Sequence, residues 1–315
     1  MPKIAAAATR PPASLHDLAN DYLESCRARG LAPTTIRTAY TYTLVNVFLP
    51  WCALNDIAVI EQLTQEELDQ FTTDLLETPS KRGKQLSPYT VHHYVRVVRQ
   101  FLKWCRAEGG TADSKPQLPG LPLRVLEVMR RDEIERLELA APTERDKLII
   151  RLLADTGIRV GELCSLEPAN IITGADQRAF LKILGKGPRN RLVPIAPKLA
   201  QRLETYQRFR PADARGSHIF LAARRDASGE YAPLTTSGVL QLLRGAADRA
   251  GITRRVHPHL LRHSFAAEAL RRGMNPVQLA QLLGHSGLRM IEQVYTQLTT
   301  DDGFEAVMRV FTVEK

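Results

Sequence analysis

A mainly helical protein with a small antiparallel β-sheet in its second half is what the sequence predicts, and three observations predict it. Apolar residues recur at three- and four-residue intervals over most of the chain. Capping residues and glycines bracket those stretches. One short region, AFLKILG followed by RLVPI, breaks that period around the turn GKGPRN and has the pattern of a β-hairpin.

The elements follow in order. Residues 1–12 read as a flexible tail, too short in its apolar stretch for a signal peptide. Ser14 caps a first helix carrying Leu15, Leu18, Ala19, Tyr22, Leu23 and Cys26, ending near Gly30. After Pro33 a second helix aligns Ile36, Tyr40, Leu44, Val47, Phe48 and Trp51 in one stripe. Thr64 and Glu67 form a capping box for a third helix through Leu68, Phe71 and Leu75. The basic loop KRGKQLSP leads to Ser87 and Pro88, which open a fourth helix reaching Cys105. Residues 13–108 therefore form a helical first domain, and the Gly- and Pro-rich stretch 109–122 is the linker. In the second domain, 123–315, helices are expected over 132–140 and 145–155, the latter stopped by Gly157. The hairpin comes next, then helices at 198–209, 236–250, 260–272, 276–283 and 288–298. A final amphipathic segment, within about 301–311, presents Phe304, Val307, Met308 and Phe311.

Composition narrows the function. The 315 residues carry a net charge of +9, which favours a polyanionic partner, nucleic acid above all. Residues 1–108 hold 12 Lys and Arg against 11 Asp and Glu, leaving 31 against 23 for the remainder. The excess thus sits in the second domain. Cys26, Cys52, Cys105 and Cys164 lie far apart with no zinc-ligand spacing, which fits a reducing compartment and implies no metal. No apolar run reaches the roughly 18 residues of a membrane span, so the expected location is cytoplasmic. On the fourth helix Arg96, Arg99 and Lys103 fall outside the apolar stripe; with Lys81, Arg82 and Lys84 of the preceding loop they make a candidate DNA-backbone patch. An ordinary solvated face is the plainer alternative.

Four motifs carry chemistry. HPHLLRHSF places His259 and Arg262 on one face near a helix N-terminus, a combination suited to phosphate. In TGIRVGEL, Arg159 sits at a break between helices, with Glu162 in reach of its guanidinium. LGKGPRNRLVPI sets Lys186 between two glycines at the hairpin tip. LLGHSGLRMIEQVYTQ places His285 just past a helix and Tyr295 ten residues on. Read singly, each allows a bland role: a surface helix, a structural Arg–Glu pair, a turn lysine, a core tyrosine.

Together and in this order, Arg159, Lys186, His259, Arg262, His285 and Tyr295 resemble the active-site series of the tyrosine recombinase (phage integrase) family. The resemblance extends from about residue 14 to 311, and LAPTTIRTAY is similar to the second-helix signature of the family's core-binding domain. It implies a tyrosine-recombinase catalytic fold joined to a helical core-binding domain, of the simple type without an arm-binding domain. It also implies a DNA strand transferase working through a 3′-phosphotyrosyl link, with Tyr295 as nucleophile and His259 as general base. Arg159 and Arg262 would clamp the phosphate, Lys186 would protonate the leaving 5′ oxygen, and His285 would donate a hydrogen bond. No cofactor is implied. The partners would be double-stranded recombination sites, with a homotetramer on DNA, a monomer or weak oligomer without it, and room for a second recombinase or accessory protein. The segment 301–311 would dock on a neighbouring protomer or pack in cis. Integration and excision, resolution of transposon cointegrates, and resolution of chromosome dimers all remain open. A type IB topoisomerase and a non-catalytic DNA-binding regulator are the rival readings.

Overall fold

A computed structural model describes residues 14–79, 83, 85–109, 114–122, 126–174, 176, 178–184 and 190–284. The chain divides into two compact units, residues 1–124 and 125–315. The expected tail, the loop cations Lys81, Arg82 and Lys84, the hairpin lysine Lys186, and His285, Tyr295 and the segments 288–298 and 301–311 lie outside the described residues.

In the first unit the caps act where their chemistry predicts. Helix α1 (Leu15–Ala28) begins where the Ser14 hydroxyl accepts the Asp17 amide at 3.1 Å. Helix α3 (Gln65–Glu77) opens on the Thr64–Glu67 box, the Thr64 amide donating to Glu67 at 3.1 Å. Helix α4 (Pro88–Ala107) starts at Ser87, with Pro88 at its first turn. Between them α2 spans 33–54 but is not a plain α-helix. Its turns Ile36–Thr41 and Leu44–Phe48 have π register, and α register returns at Leu49–Leu54. Pro50, two residues past the second π turn, has no N–H to donate, and its ring crowds the carbonyl four residues back.

The four helices close on Phe48, Phe71 and Phe101, each fully buried. Phe48 meets Phe71 edge-on at 5.2 Å, and Trp51 caps the cluster while its indole N–H donates to Asp74 at 2.7 Å. Cys26, Cys52 and Cys105 are buried in this core, and burial pushes the Cys52 and Cys105 thiols up to about 12. The described part of the expected linker lies along this unit. Pro116 is buried, the Lys115 amide donates to Gln65 at 3.1 Å, and the Tyr89 hydroxyl donates to the Pro122 carbonyl at 2.9 Å.

The second unit is built around α6 (Glu144–Thr156), whose Leu148, Ile149, Ile150, Leu152 and Leu153 are all fully buried. These five side chains span more than half of the helix circumference, so most of it must be enclosed. It is packed against α5 (Arg131–Leu139), α7 (Val160–Cys164), α8 (Pro197–Gln207), α9 (Thr236–Arg249) and α10 (Pro258–Arg271). Helix α11 (Pro276–Leu283) packs on α10 and on the sheet. The sheet is antiparallel, in the order β1 (Ile171–Thr173), β2 (Ala179–Ile183), β3 (Arg191–Ile195), with Leu181 paired to both Ile171 and Val193. The hairpin β2–β3 was expected; β1 was not, because three residues are too few to show a period.

Candidate active site

Three helix ends meet where the sequence motifs converge. Helix α6 stops at Gly157 in the left-handed conformation (φ 61°), and α11 stops the same way at Gly284 (φ 66°). Both leave backbone carbonyls facing forward. Arg262 of α10 is 3% exposed, and it donates to the Gly157 carbonyl and, at 2.7 Å, to the Leu283 carbonyl. A cation at two helix C-termini lies where their dipoles favour positive charge. Backbone carbonyls at two helix ends thus help to hold a buried guanidinium.

Arg159 is the N-cap of α7. Its amide donates to Glu162 Oε2 at 2.7 Å, its Nη1 donates to Oε1 at 3.0 Å, and its Nη2 reaches the Gly284 carbonyl at 2.9 Å. The expected Arg159–Glu162 contact is therefore present, and a large part of the Arg159 side chain (42%) remains exposed. His259 lies one turn before Arg262 on the same helix face and is exposed.

The electrostatics follow from this convergence. Burial and the neighbouring Arg159 charge hold the Arg262 guanidinium down at about 10, still protonated at neutral pH. Burial, then Arg262, then Arg159 push the His259 imidazole below its ordinary value, so at neutral pH it is the uncharged form that faces the arginines. Burial pushes the Glu162 carboxyl up, but hydrogen bonds from Arg191 and the Arg159 amide and the Arg191 charge outweigh it, and the net shift is downward. The Arg159 charge thus disfavours the protonated form of its neighbour Arg262. A tetrahedral oxyanion between them would satisfy both forks.

The sequence reading missed Arg191. It is the first residue of β3 and clamps Glu162 with both Nη atoms, at 2.8 and 2.7 Å, while its Nε donates to the Leu282 carbonyl at 2.7 Å. The signal was available: strand alternation puts Arg191 on the same face as buried Val193 and Ile195. The carbonyls of Gly157, Leu282, Leu283 and Gly284 carried no such signal.

Lys186 lies between β2 and β3 in sequence, and His285 and Tyr295 follow α11; all three fall outside the described residues. On α4, Arg96 and Lys103 are exposed and Arg99 is half-buried, none with an ion pair among the described residues. Lys81, Arg82 and Lys84, the loop part of that patch, are not described. No group of three or more His, Cys, Asp or Glu positioned to hold a metal occurs among the described residues. No helix among them is long and apolar enough to cross a membrane.

Comparison with known proteins points one way. Residues 127–301 match the phage integrase family. The tyrosine recombinase XerA of Pyrococcus horikoshii is 28% identical over 300 residues, 95% of each chain. The XerA of Pyrococcus furiosus is 32% identical over 237 residues, covering 74% of this chain and 78% of that one. Among solved structures, a lambda integrase tetramer bound to a Holliday junction superposes with a TM-score of 0.63 at 19% identity, over 90% of this chain and 78% of that one. That likeness concerns the fold.

Proposed function

Because the chain belongs to the phage integrase family, we propose that Arg159, Lys186, His259, Arg262, His285 and Tyr295 are the catalytic set of a site-specific tyrosine recombinase. The observation that carries the assignment of roles is the convergence of Arg159 and Arg262 beside an uncharged His259. Tyr295 Oη attacks the scissile phosphorus as His259 accepts the phenol proton, since a free phenol with a pKa near 10 gives up its proton poorly at neutral pH. The bond from phosphorus to the 5′ oxygen breaks, and Lys186 supplies that oxygen with a proton. What remains is a 3′-phosphotyrosyl ester and a free 5′-hydroxyl.

The two arginines bind the non-bridging oxygens through planar forks and gain strength as charge accumulates there. His285 adds a hydrogen bond to the same phosphate. Rejoining runs the sequence backwards: a 5′-hydroxyl attacks the phosphotyrosyl ester, Lys186 takes up its proton, and His259 returns one to Tyr295. The ester conserves the energy of the broken bond, so the cycle needs no other energy source.

The lambda integrase relative was solved as a tetramer on a Holliday junction. By extension we assign to this chain four protomers on two DNA sites, exchanging strands in two steps. The segment 301–311 then links neighbouring protomers, and Arg96, Arg99 and Lys103 with Lys81, Arg82 and Lys84 follow the DNA backbone. The same reading places the protein in the cytoplasm with its substrate.

The direct test uses a nicked duplex carrying a site selected from a random pool by binding to the full chain. The wild type is expected to accumulate a covalent protein–DNA adduct that Tyr295→Phe lacks. An adduct that survives Tyr295→Phe would reject the assignment. Mixing two differently labelled sites separates strand exchange, which yields hybrid products, from relaxation alone.

A further inference from the structure

We propose that Arg191 is a positioning residue for the phosphate clamp: through Glu162 it sets the orientation of Arg159. The inference rests on the assignment of Arg159 to phosphate binding given above.

Its location is unusual. β3 alternates, with Val193 and Ile195 turned inward and fully or nearly buried, and Arg191 is the third residue of that inward row, opposite Ile183. A cation is costly there unless every donor is met. The Arg191 side chain is 13% exposed, and it meets both Glu162 oxygens and the Leu282 carbonyl. The fork is bidentate, so it fixes the carboxylate plane as well as its position.

Glu162 in turn has four donors. Oε1 accepts from Arg159 Nη1 and Arg191 Nη1; Oε2 accepts from the Arg159 amide and Arg191 Nη2. Arg159 and Arg191 thus approach one carboxylate from two sides. Arg159 is the more exposed of the two, at 42% against 13%. An exposed arginine side chain alone has several rotamers and pays entropy to choose one. Here the choice is made by a carboxylate that the buried Arg191 immobilises. The Nε bond to Leu282 ties the same unit to the end of α11, two residues before the Gly284 carbonyl that Arg159 also touches. Space is tight on that side: a Cβ at Gly284 would come within 2.9 Å of Arg191 Nη1.

The experiment compares Arg191→Lys, which keeps charge but loses the fork, with Arg159→Lys and the double variant, all in the full chain. Two readouts are taken: affinity for inorganic phosphate by titration calorimetry, and the single-turnover rate of adduct formation on the selected nicked duplex. If Arg191 acts through Arg159, Arg191→Lys lowers the adduct rate at least tenfold and weakens phosphate binding severalfold. In the Arg159→Lys background the same change then costs less than twofold in either readout. DNA affinity should shift by less than about threefold, separating a loss of positioning from a loss of binding. Losses that multiply in the double variant, or a wild-type rate in Arg191→Lys, overturn the proposal, as does a wild type that binds no phosphate. Should Arg191→Lys fail to fold, Arg191→Gln replaces it in the same cycle. A wild type that binds phosphate with the expected coupling but forms no adduct would reject the catalytic assignment and leave the positioning role standing.

Discussion

Arg262 joins two helix ends at the site. It is almost fully buried, it bonds carbonyls from two helices, and it feels the charge of Arg159. Arg262→Lys preserves the charge but loses the planar fork that offers a separate nitrogen to each carbonyl. It is expected to lower stability by about 1.5–3 kcal/mol and the adduct rate by about 10²–10³; thermal unfolding and single-turnover kinetics read the two losses separately. His259 makes the pH dependence specific. Its folded value is depressed, so in the unfolded chain it binds protons at a pH where the folded form does not. Its contribution to stability is therefore whole above about pH 6.5 and lost as pH falls through the lower folded value. The acid limb of the adduct rate is expected below pH 6.5 in wild type and absent from the residual activity of His259→Ala. In the first unit, Thr43 is fully buried and its hydroxyl has no hydrogen-bond partner among the described residues. Thr43→Val, nearly the same shape, is expected to raise stability by about 1 kcal/mol, read from the denaturant midpoint.

At the scale of elements, what decides the site is where helices stop. Gly157 has φ 61°, and a Cβ there would lie 2.5 Å from Phe265 and 2.7 Å from Leu283. Gly251 has φ 67° but open space around it. Gly157→Ala should therefore cost about 2–4 kcal/mol, strain plus overpacking, against about 1 kcal/mol for Gly251→Ala. Equal losses in the two melting curves would mean that backbone strain alone sets the cost. These stops were legible in the sequence, as were the Ser14, Ser87 and Thr64 starts, because capping chemistry is local. The spacing of His259 and Arg262 was legible for the same reason. The π register of α2 was not, since a helix can switch hydrogen-bond partners without changing which residues are apolar. β1 was too short to show a pattern. The partners of Arg262 were hidden for a different reason: they are backbone carbonyls, which any residue supplies, so nothing in the side-chain sequence marks them. Arg191 was marked, by its place in an apolar row, but an arginine beside a lysine hairpin reads first as surface charge.

Over the whole molecule, two units have separate interiors, one organised by three phenylalanines and one by α6. Residues 1–124 alone are expected to unfold in one cooperative transition, and a broad, non-cooperative melt would show that this core needs the rest of the chain. The net charge of +9 implies DNA binding that weakens steeply with salt. Arg96→Ala and Lys103→Ala should each reduce the salt slope by about 0.9 and weaken different duplexes alike; a change confined to one sequence would make them base readers instead. In the second unit the Arg262 guanidinium donates to the carbonyls of Gly157 and Leu283. Such a cradle recognises the shape of a planar ion irrespective of the chain that delivers it. In Arg262→Ala the emptied space is a small-molecule receptor, and part of the lost rate should return, saturably, with millimolar guanidinium but not with ammonium at the same ionic strength. The recombination step would then be under the control of a dissolved ion.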